Sequence, residues 1–320
     1  MNVKIRPFHP DEYDQIAAVL AAARPETAVS AELLQYRDQT RPAICQSQRF
    51  VAVRDGLVVG FSFYTQYADM FEPNAYWVDV CISPLHRKQG IGTALFTRLR
   101  QSLWAKRPFT LRVQIKENNR AGIRFAEKHG FQEFGRRWES RLSVAEFDEI
   151  QFPDFTTPLA AKGIHIVPFT DLADDPARDR KLYALQTELD QDVPMLVPVT
   201  PMTFAQFADQ VLHNPSLVAD GLMVATHGDA YVGMSSFFES GSHSLVIDLT
   251  GTRKPYRRQG IAIALKLAGI LFARRRGYET IIVHNDVVNR GMLAVNDKLG
   301  FVRQPAMIQY ALDYRRDCSG

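Results

Sequence analysis

The sequence predicts a mixed α/β protein built from two copies of one domain, and three observations lead to that prediction. The string Arg87-Lys88-Gln89-Gly90-Ile91-Gly92 recurs as Arg257-Arg258-Gln259-Gly260-Ile261-Ala262, shifted by 170 positions. Asn119 and Gly130-Phe131 recur with the same shift as Asn289 and Gly300-Phe301. Strand-like and helix-like segments also follow one another in the same order in both copies. A constant shift over separated landmarks indicates an internal duplication.

The length of the chain agrees with two domains, because 320 residues correspond to about two domains of roughly 100 to 200 residues each. The segment between the copies shows no hydrophobic period and contains Pro153 and Pro158, which is typical of a connection. We therefore predict an N-terminal domain at residues 1–145, a linker at 146–162 and a C-terminal domain at 163–320.

Hydrophobic periodicity gives the elements of each copy in order. In the first copy it predicts strands at 3–8, 49–54, 57–67, 77–82, 109–116 and 134–142, and helices at 11–23, 30–38, 93–104 and 120–129. Asp55-Gly56 supplies a hairpin turn between two of these strands. The second copy repeats the order from Ile164, with Gly228-Asp229 as the turn, strands at 245–249 and 280–284 and a helix at 263–276.

Composition excludes several classes of function. Apolar residues make up 46% of the chain and charged residues 23%, without an apolar run near the roughly 18 residues of a membrane span and without a leader pattern. A net charge of +3 with dispersed basic residues argues against nucleic acid. Cys45, Cys81 and Cys318 form neither metal-ligand spacing nor an even disulfide set. We therefore expect a cytoplasmic protein with no metal and no membrane partner; the oligomeric state is not predicted.

The repeated segment has the chemistry of an anion site. In each copy a strand leads through a glycine-containing loop into a helix, whose first backbone N–H groups have no partner within the helix. These donors and the positive end of the helix dipole suit a group such as a pyrophosphate, and Gly90 and Gly92 remove the Cβ atoms that would obstruct it. The P-loop pattern and the dinucleotide fingerprint do not fit, because neither loop ends in Gly-Lys-Ser/Thr or has Gly-x-Gly-x-x-Gly spacing.

With these motifs the chain resembles the GNAT acyltransferase superfamily over nearly its whole length, and its tandem arrangement is similar to that of mycothiol synthase. The resemblance rests on the segments 82–92, 250–262 and 289–301. It implies two tandem GNAT-type domains, each with a central mixed, mostly antiparallel sheet flanked by helices. It also implies an acetyl-CoA site in each domain.

The resemblance implies roles for individual residues in that site. Loop amides would hold the pyrophosphate, and pantetheine would lie where the strand before the loop diverges from the next strand. The amide of Ile82 or Thr252 would face the thioester carbonyl. Asn119 and Asn289 would bond to the cofactor, or else only cap their helices. The implied cofactor-binding residues are Cys81, Ile82, Ser83, Arg87, Lys88, Gln89, Gly90, Ile91, Gly92, Thr93, Asn119, Thr250, Gly251, Thr252, Arg257, Arg258, Gln259, Gly260, Ile261, Ala262 and Asn289.

One departure from the family concerns the general acid. Many members have a Tyr seven residues after the Asn, whereas this chain has Ala126 and Asn296 at those positions. A general acid contributes roughly 10²- to 10⁴-fold to a rate. A thiol has a pKa near 8.5, so a CoA thiolate can leave with help from water alone. The missing Tyr therefore weakens the prediction of activity more than the prediction of binding.

An amine acceptor must lose a proton before it attacks, since an alkylammonium has a pKa of about 10. Candidates for this catalytic work are Asp248, His284, Asp286 and Asn296 in the second domain and, less strongly, Asp79 and Glu117 in the first. Asp286 could instead cap a turn and His284 could be a strand-end residue with structural partners. Because polar groups cluster on both sides of the expected gap in the second domain, whereas the gap of the first domain is more apolar, we expect the second domain to carry the chemistry.

The predicted function is transfer of an acetyl group from acetyl-CoA to an amine by direct attack in a ternary complex. The predicted acceptor is the amine of a small molecule. Two alternatives stay open. One or both domains could bind acetyl-CoA without turnover, as a structural or sensory module. The acceptor could also be a protein N-terminus or a lysine.

Overall fold

The computed structural model describes residues 3–25, 29–197, 199–241 and 243–314. Cys318 lies outside the described residues, as do the first two residues of the chain. Contacts within the chain divide it into two compact units. Unit 1 comprises Met1–Arg136 with Met307–Gly320, and unit 2 comprises Arg137–Ala306.

The elements of the first half follow the predicted order closely. They are β1 (Lys4–Pro7), α1 (Tyr13–Ala23), α2 (Ala31–Gln39), β2 (Ser47–Arg54), β3 (Leu57–Thr65), β4 (Ala75–Ile82), α3 (Ile91–Trp104), β5 (Thr110–Lys116), α4 (Arg120–Lys128) and β6 (Gln132–Ser143). Asp55 and Gly56 both have positive φ, 51° and 80°, as a two-residue hairpin turn requires. Ser30 caps α2 by accepting a hydrogen bond from the Leu33 amide at 3.2 Å.

The second half repeats this order and adds helices that periodicity did not reveal. The elements are α5 (Thr156–Ala160), β7 (Ile164–Pro168), α6 (Arg178–Asp190), α7 (Phe204–Phe207), β8 (Met223–His227), β9 (Ala230–Glu239), β10 (Ser244–Thr252), α8 (Ile261–Arg275), β11 (Thr280–Asp286), α9 (Arg290–Lys298), β12 (Val302–Arg303) and β13 (Met307–Asp313). Within the described ranges, the helices include none that is both long and apolar enough to cross a bilayer.

The sheet of unit 1 has the order β1-β2-β3-β4-β5-β13. All neighbours are antiparallel except β4 and β5, which are parallel. The pairing of β4 with β5 extends only from Ala75↔Thr110 to Trp77↔Arg112. The two strands therefore diverge beyond Trp77 and leave a gap in front of the loop.

Unit 2 has the same arrangement, in the order β7-β8-β9-β10-β11-β6, with the short β12 also paired to β6. Its parallel pair, β10 and β11, is in register from Ser244↔Thr280 to Ile247↔Val283 and diverges afterwards. The predicted fold class, a mixed and mostly antiparallel sheet flanked by helices in two repeats, is confirmed.

The last strand of each sequence copy is exchanged: β6 ends the first copy but joins the sheet of unit 2, and β13 ends the second copy but joins the sheet of unit 1. From Arg137 onward β6 pairs with β11, whereas β13 pairs with β5. The units are therefore not the contiguous segments 1–145 and 163–320 that the sequence predicts. The segment 146–162 also differs from a simple linker, because Phe147 and Leu159 are 7% and 2% exposed and belong to the core of unit 2. Apolar side chains without a regular period can still be core residues.

Candidate active site

The two glycine loops have nearly the same backbone conformation. Lys88 and Arg258 have φ values of 61° and 60°, and Gly90 and Gly260, which immediately precede α3 and α8, have 78° and 87°. The arginine before them also makes the same bond in each copy. Arg87 donates from Nε to the Ile82 carbonyl at 3.2 Å, and Arg257 to the Thr252 carbonyl at 3.0 Å. Both loops therefore present the helix amides that the sequence predicts for an anion site.

The charges around the two loops differ. In the described part of unit 1, no acidic side chain lies within ion-pair distance of Arg87 or Lys88. In unit 2, Asp192 contacts Arg257 at 2.6 Å and Lys254 at 2.8 Å. An anion that binds the second loop must therefore compete with a carboxylate of the protein.

The space around the loops differs as well. A Cβ at Gly90 would meet nothing within 4 Å, whereas a Cβ at Gly260 would lie 2.9 Å from the Phe155 ring. Lys162 donates to the Gln259 side chain at 3.4 Å. Residues that the sequence assigned to a linker thus cover one side of the second loop.

Asn119 and Asn289 cap the helices that follow the gap. The Oδ1 atom of Asn119 accepts a hydrogen bond from the Gly122 amide at 3.0 Å, and that of Asn289 from the Met292 amide at 3.3 Å. The capping alternative is therefore what the structure shows. Their contact with a cofactor stays a prediction, for which the side-chain NH₂ groups are available.

In unit 1 the backbone that faces the gap is partly occupied. The Ser83 amide bonds to Val59 of the neighbouring segment at 3.0 Å, so the alternating amides of Val80 and Ile82 point to the other side, into the gap. The Val80 amide donates to Asp79 Oδ1 at 2.8 Å. Arg24 holds the same carboxylate with two bonds of 2.7 Å. Asp79, a weaker candidate for the base, is therefore engaged by a guanidinium.

In unit 2 the corresponding backbone is open and irregular. The Arg253 amide bonds to Val232 at 2.9 Å, which directs the amides of Thr250 and Thr252 into the gap. The register between β10 and β9 shifts between Ile247 and Thr250, a β-bulge with no counterpart in β4. Bulges often redirect side chains next to functional sites, and this one lies at Asp248.

Asp248 is the centre of a group of titratable side chains in unit 2. Its side chain keeps solvent-exposed surface, but desolvation by the surrounding protein raises its pKa, an effect that Arg137 and His284 oppose. His284 Nε2 lies 3.6 Å from Glu139 Oε2. Glu139 is 2% exposed and accepts a bond from Arg141 at 2.7 Å. The group therefore combines an accessible carboxyl with an imidazole held beside a buried carboxylate.

The other predicted catalytic residues have structural partners. Asp286 is 5% exposed and accepts a bond from the Leu196 amide at 3.2 Å, so it holds the segment after α6. Glu117 pairs with Arg136 at 3.2 Å. Asn296 is 1% exposed and donates to Asn285 Oδ1 at 2.7 Å, while its own Oδ1 has no partner in the described part of the chain. A neutral amide of this kind cannot serve as the missing general acid.

Two further placements bear on the predicted cofactor residues. The Cys81 side chain is 3% exposed, and burial raises the pKa of its thiol to about 11. Its amide, which alternates with those of Val80 and Ile82, points to β3 and not into the gap, so neither its thiol nor its amide faces a ligand there. Ala126, at one of the missing Tyr positions, is a buried core residue.

Sequence reasoning missed four residues of these sites, namely Glu139, Arg24, Asp192 and Phe155. Glu139 lies on β6, which the sequence assigned to the first domain, and Phe155 lies in the predicted linker. The signal that could have indicated Glu139 is its position as an isolated acidic residue in a strand of alternating pattern. Arg24 and Asp192 follow helices in regions without a pattern, so their ion-pair partners could not be predicted.

Comparison with known proteins agrees with this architecture. The family model described as "Acetyltransferase (GNAT) family" matches residues 16–131 and 182–301. The mycothiol acetyltransferase of Saccharomonospora viridis is 25% identical over 307 residues, which cover 94% of this chain and 95% of that protein. That of Pseudarthrobacter chlorophenolicus is 23% identical over 240 residues, 73% of this chain and 69% of that protein.

Solved structures show the same fold over the full length. A tandem GNAT protein from the clavulanic acid biosynthesis pathway has a TM-score of 0.72 at 17% identity and covers 98% of both chains. A GCN5-related N-acetyltransferase from Sphaerobacter thermophilus has a TM-score of 0.70 at 18% identity, covering 97% of this chain and 95% of that one. Since the family model matches both copies and more than half of the chain, the chain belongs to the acetyltransferase (GNAT) family and is a tandem N-acetyltransferase.

Proposed function

We propose that this enzyme transfers an acetyl group from acetyl-CoA to the amine of a small molecule, and that the transfer takes place in the gap of unit 2. The observation that carries the proposal is the contrast between the gaps. In unit 2 the Thr250 and Thr252 amides face the gap, and the bulge places Asp248 beside it. In unit 1 the Val80 amide is already bonded to Asp79. The names of the aligned relatives support a small-molecule acceptor.

The residues present fit the cofactor. Both loops offer preorganised amides to a pyrophosphate, and the buried Thr252 hydroxyl has no hydrogen-bond partner among the residues that the structure describes. Acetyl-CoA supplies the acyl group when bound. The amides of Thr250 and Thr252 are donors fixed in place before the reaction, and such donors stabilise negative charge on an acyl oxygen by about 3 kcal/mol each.

Asp248 is the residue that we assign to proton removal. The pKa of Asp248 is raised toward neutral pH. Its carboxylate is therefore a better base than that of an ordinary aspartate. His284, beside the buried Glu139, is a second group through which a proton can pass. By this assignment unit 1 binds CoA through its open loop or serves as architecture, and it does not transfer the acetyl group.

The test is the rate of thiol release from acetyl-CoA with a panel of primary amines. We expect Asp248→Asn to lower kcat by about 10²-fold or more, since that is the usual contribution of a general base. Because the pKa of Asp248 is raised, the activity of the wild type should fall on the acid side at a pH above the usual aspartate range. The pH–rate profile of the residual activity of Asp248→Asn should lack this fall on the acid side.

Asp79→Asn in unit 1 is the matched control and should keep the rate within about threefold. Circular dichroism on both variants checks that they are folded. A loss only with Asp79→Asn would reverse the assignment of the two units, and an equal loss in both variants would contradict it.

A second candidate function is a binding module in which neither unit turns over. Ala126 and the buried Asn296 at the acid positions favour it. Calorimetric binding of acetyl-CoA without thiol release for any amine in the panel would support this function over the enzyme in unit 2.

A further inference from the structure

A groove of about 450 Å³ lies in unit 2, at the end of β11 that is opposite to the candidate active site. Thr280, the first residue of β11, lines this groove, whereas the gap opens beyond Val283. All of the lining residues belong to unit 2. The volume falls within the range of small-molecule sites, about 300 to 1,000 Å³, and the proposed acetyl transfer does not use it.

The floor of the groove is apolar. The Phe147 and Phe152 rings stack with their centroids 5.3 Å apart, and the buried Leu142 and Leu299 belong to the same core cluster. Val302 also lines the groove and is 66% exposed. Removing apolar surface of this kind from water is favourable, so the floor suits a ligand with an apolar side chain.

The edge of β6 is open at a single residue of the groove. The Glu139 carbonyl accepts a bond at 2.8 Å from the amide of Gln304, which follows β12. Because antiparallel strands bond through alternate residues, Arg141 and Ser143 face this side as well. Arg141 lies opposite Val302, the first residue of β12, so Ser143 lies beyond the end of β12. Its N–H and C=O groups therefore face the groove as one donor and one acceptor, too short an edge for an extended peptide.

Two opposite charges on the groove have no charged partner. Within the described residues, the Glu146 carboxylate makes no hydrogen bond or ion pair. Lys298 makes none either, and its ammonium lies 5.8 Å from the Phe155 ring centroid. The other charged lining groups are engaged, because Arg141 is held by an ion pair of 2.7 Å and Asp148 accepts bonds within its own turn. Glu146 and Lys298 are thus available to a ligand that carries both a cation and an anion.

From this groove we propose that unit 2 carries a binding site for a free α-amino acid with an apolar side chain. Such a ligand has an ammonium and a carboxylate on one carbon. The ammonium donates to the Ser143 carbonyl and to Glu146, and the carboxylate accepts from the Ser143 amide and from Lys298. The side chain packs on the floor formed by Phe147 and Phe152. The site does not depend on the proposed function.

The test is isothermal titration calorimetry with L-phenylalanine, for which we expect saturable binding. The analogues 3-phenylpropionate and 2-phenylethylamine lack the ammonium and the carboxylate, respectively. Each should bind about tenfold more weakly, because it loses charge-assisted hydrogen bonds. Glu146→Gln and Lys298→Gln should each weaken the binding of L-phenylalanine by about three- to tenfold. Asp174→Asn and Arg275→Gln, the same charge changes on exposed side chains of unit 2, should leave it unchanged.

L-phenylalanine is also an amine that could enter the gap, so Asp248→Asn serves as the control for the place of binding. This variant should bind L-phenylalanine as the wild type does. The proposal is overturned when L-phenylalanine does not bind, when both analogues bind equally well, or when the groove variants behave like their controls. A loss of binding with Asp248→Asn alone would also overturn it, by placing the ligand in the gap. Because the measurement needs no turnover, its outcome is independent of whether the proposed acetyl transfer occurs.

Discussion

At the scale of single residues, the duplication lets each side chain be compared with its counterpart. Phe96 of α3 packs in an aromatic group with Phe125 and Phe131. The equivalent position in α8 is Lys266, which is 1% exposed and lies 5.4 Å from the Phe301 ring. The same helix position is thus apolar in one copy and ionisable in the other. Burial lowers the pKa of Lys266 to about 7.

This lowered pKa makes the stability of the protein depend on pH. Between about pH 7 and the usual lysine range the unfolded chain binds more protons than the folded one, so stability rises with pH there. Below pH 7 the burial costs on the order of 5 kcal/mol. We therefore expect Lys266→Met to raise the melting temperature at pH 6 more than at pH 9, measured by thermal denaturation.

The exposed Lys128 provides the control for that measurement. Lys128→Met should leave the dependence of melting temperature on pH unchanged. A Lys266→Met protein that melts lower than the wild type at both pH values would show that the ammonium has a favourable role.

At the scale of elements, the two loops have the same backbone, but different neighbours surround them. The segment after α6 brings Asp192 to the cations of the second loop, and the segment before α5 brings Phe155 to Gly260. Within the described residues, the first loop has neither kind of neighbour. Substitution at Gly260 is therefore a poor probe of binding, because a side chain there is strained at φ 87° and collides with Phe155.

Asp192 offers a cleaner probe of the second loop. Its carboxylate occupies Arg257 and Lys254, groups that a pyrophosphate would also use. Removing this competing anion should strengthen CoA binding by about three- to tenfold, since an ion pair of this kind contributes about 1 kcal/mol. Asp192→Asn is the variant to test, by isothermal titration calorimetry with CoA.

Asp174→Asn, the same charge change on an exposed side chain of unit 2, controls for long-range electrostatics. If Asp192→Asn instead binds CoA more weakly than this control, the carboxylate positions Arg257 for the ligand and does not compete with it.

At the scale of the whole molecule, the sequence predicts the elements well and their partners poorly. The strands and helices of the first half, the hairpin turns and both glycine loops follow from local patterns. Strand pairing does not follow from local patterns. Duplication gives β6 and β13 equivalent positions in their copies, so the sequence alone does not decide which of them pairs with β5 and which with β11. The candidate catalytic group of unit 2 is predicted only in part, because one of its members lies on an exchanged strand. Asp248 and His284 lie in the expected copy, whereas Glu139 reaches them on the exchanged strand.

The exchanged strands predict how the chain behaves when it is divided. A fragment of residues 1–145 lacks β13, so it loses Ile308 and Tyr310 from the core of unit 1 and leaves the edge of β5 unpaired. A fragment of residues 146–320 lacks β6, which leaves one edge of β11 unpaired and removes Leu142 from its core. Unpaired edges next to incomplete cores favour aggregation. We therefore expect each fragment to be unfolded or aggregated when it is expressed alone.

Co-expression should rescue both fragments, because each supplies the strand that the other lacks. The expected result is co-purification of the two fragments as a one-to-one complex with a single cooperative thermal transition. The test variant is Tyr310→Asp in the fragment 146–320, which places a charge in the part of the core that β13 contributes. This change should abolish the complex, whereas Asp313→Asn, near the end of the same strand, should preserve it. A fragment of residues 1–145 that folds cooperatively on its own would show that the first copy is complete without the exchanged strand.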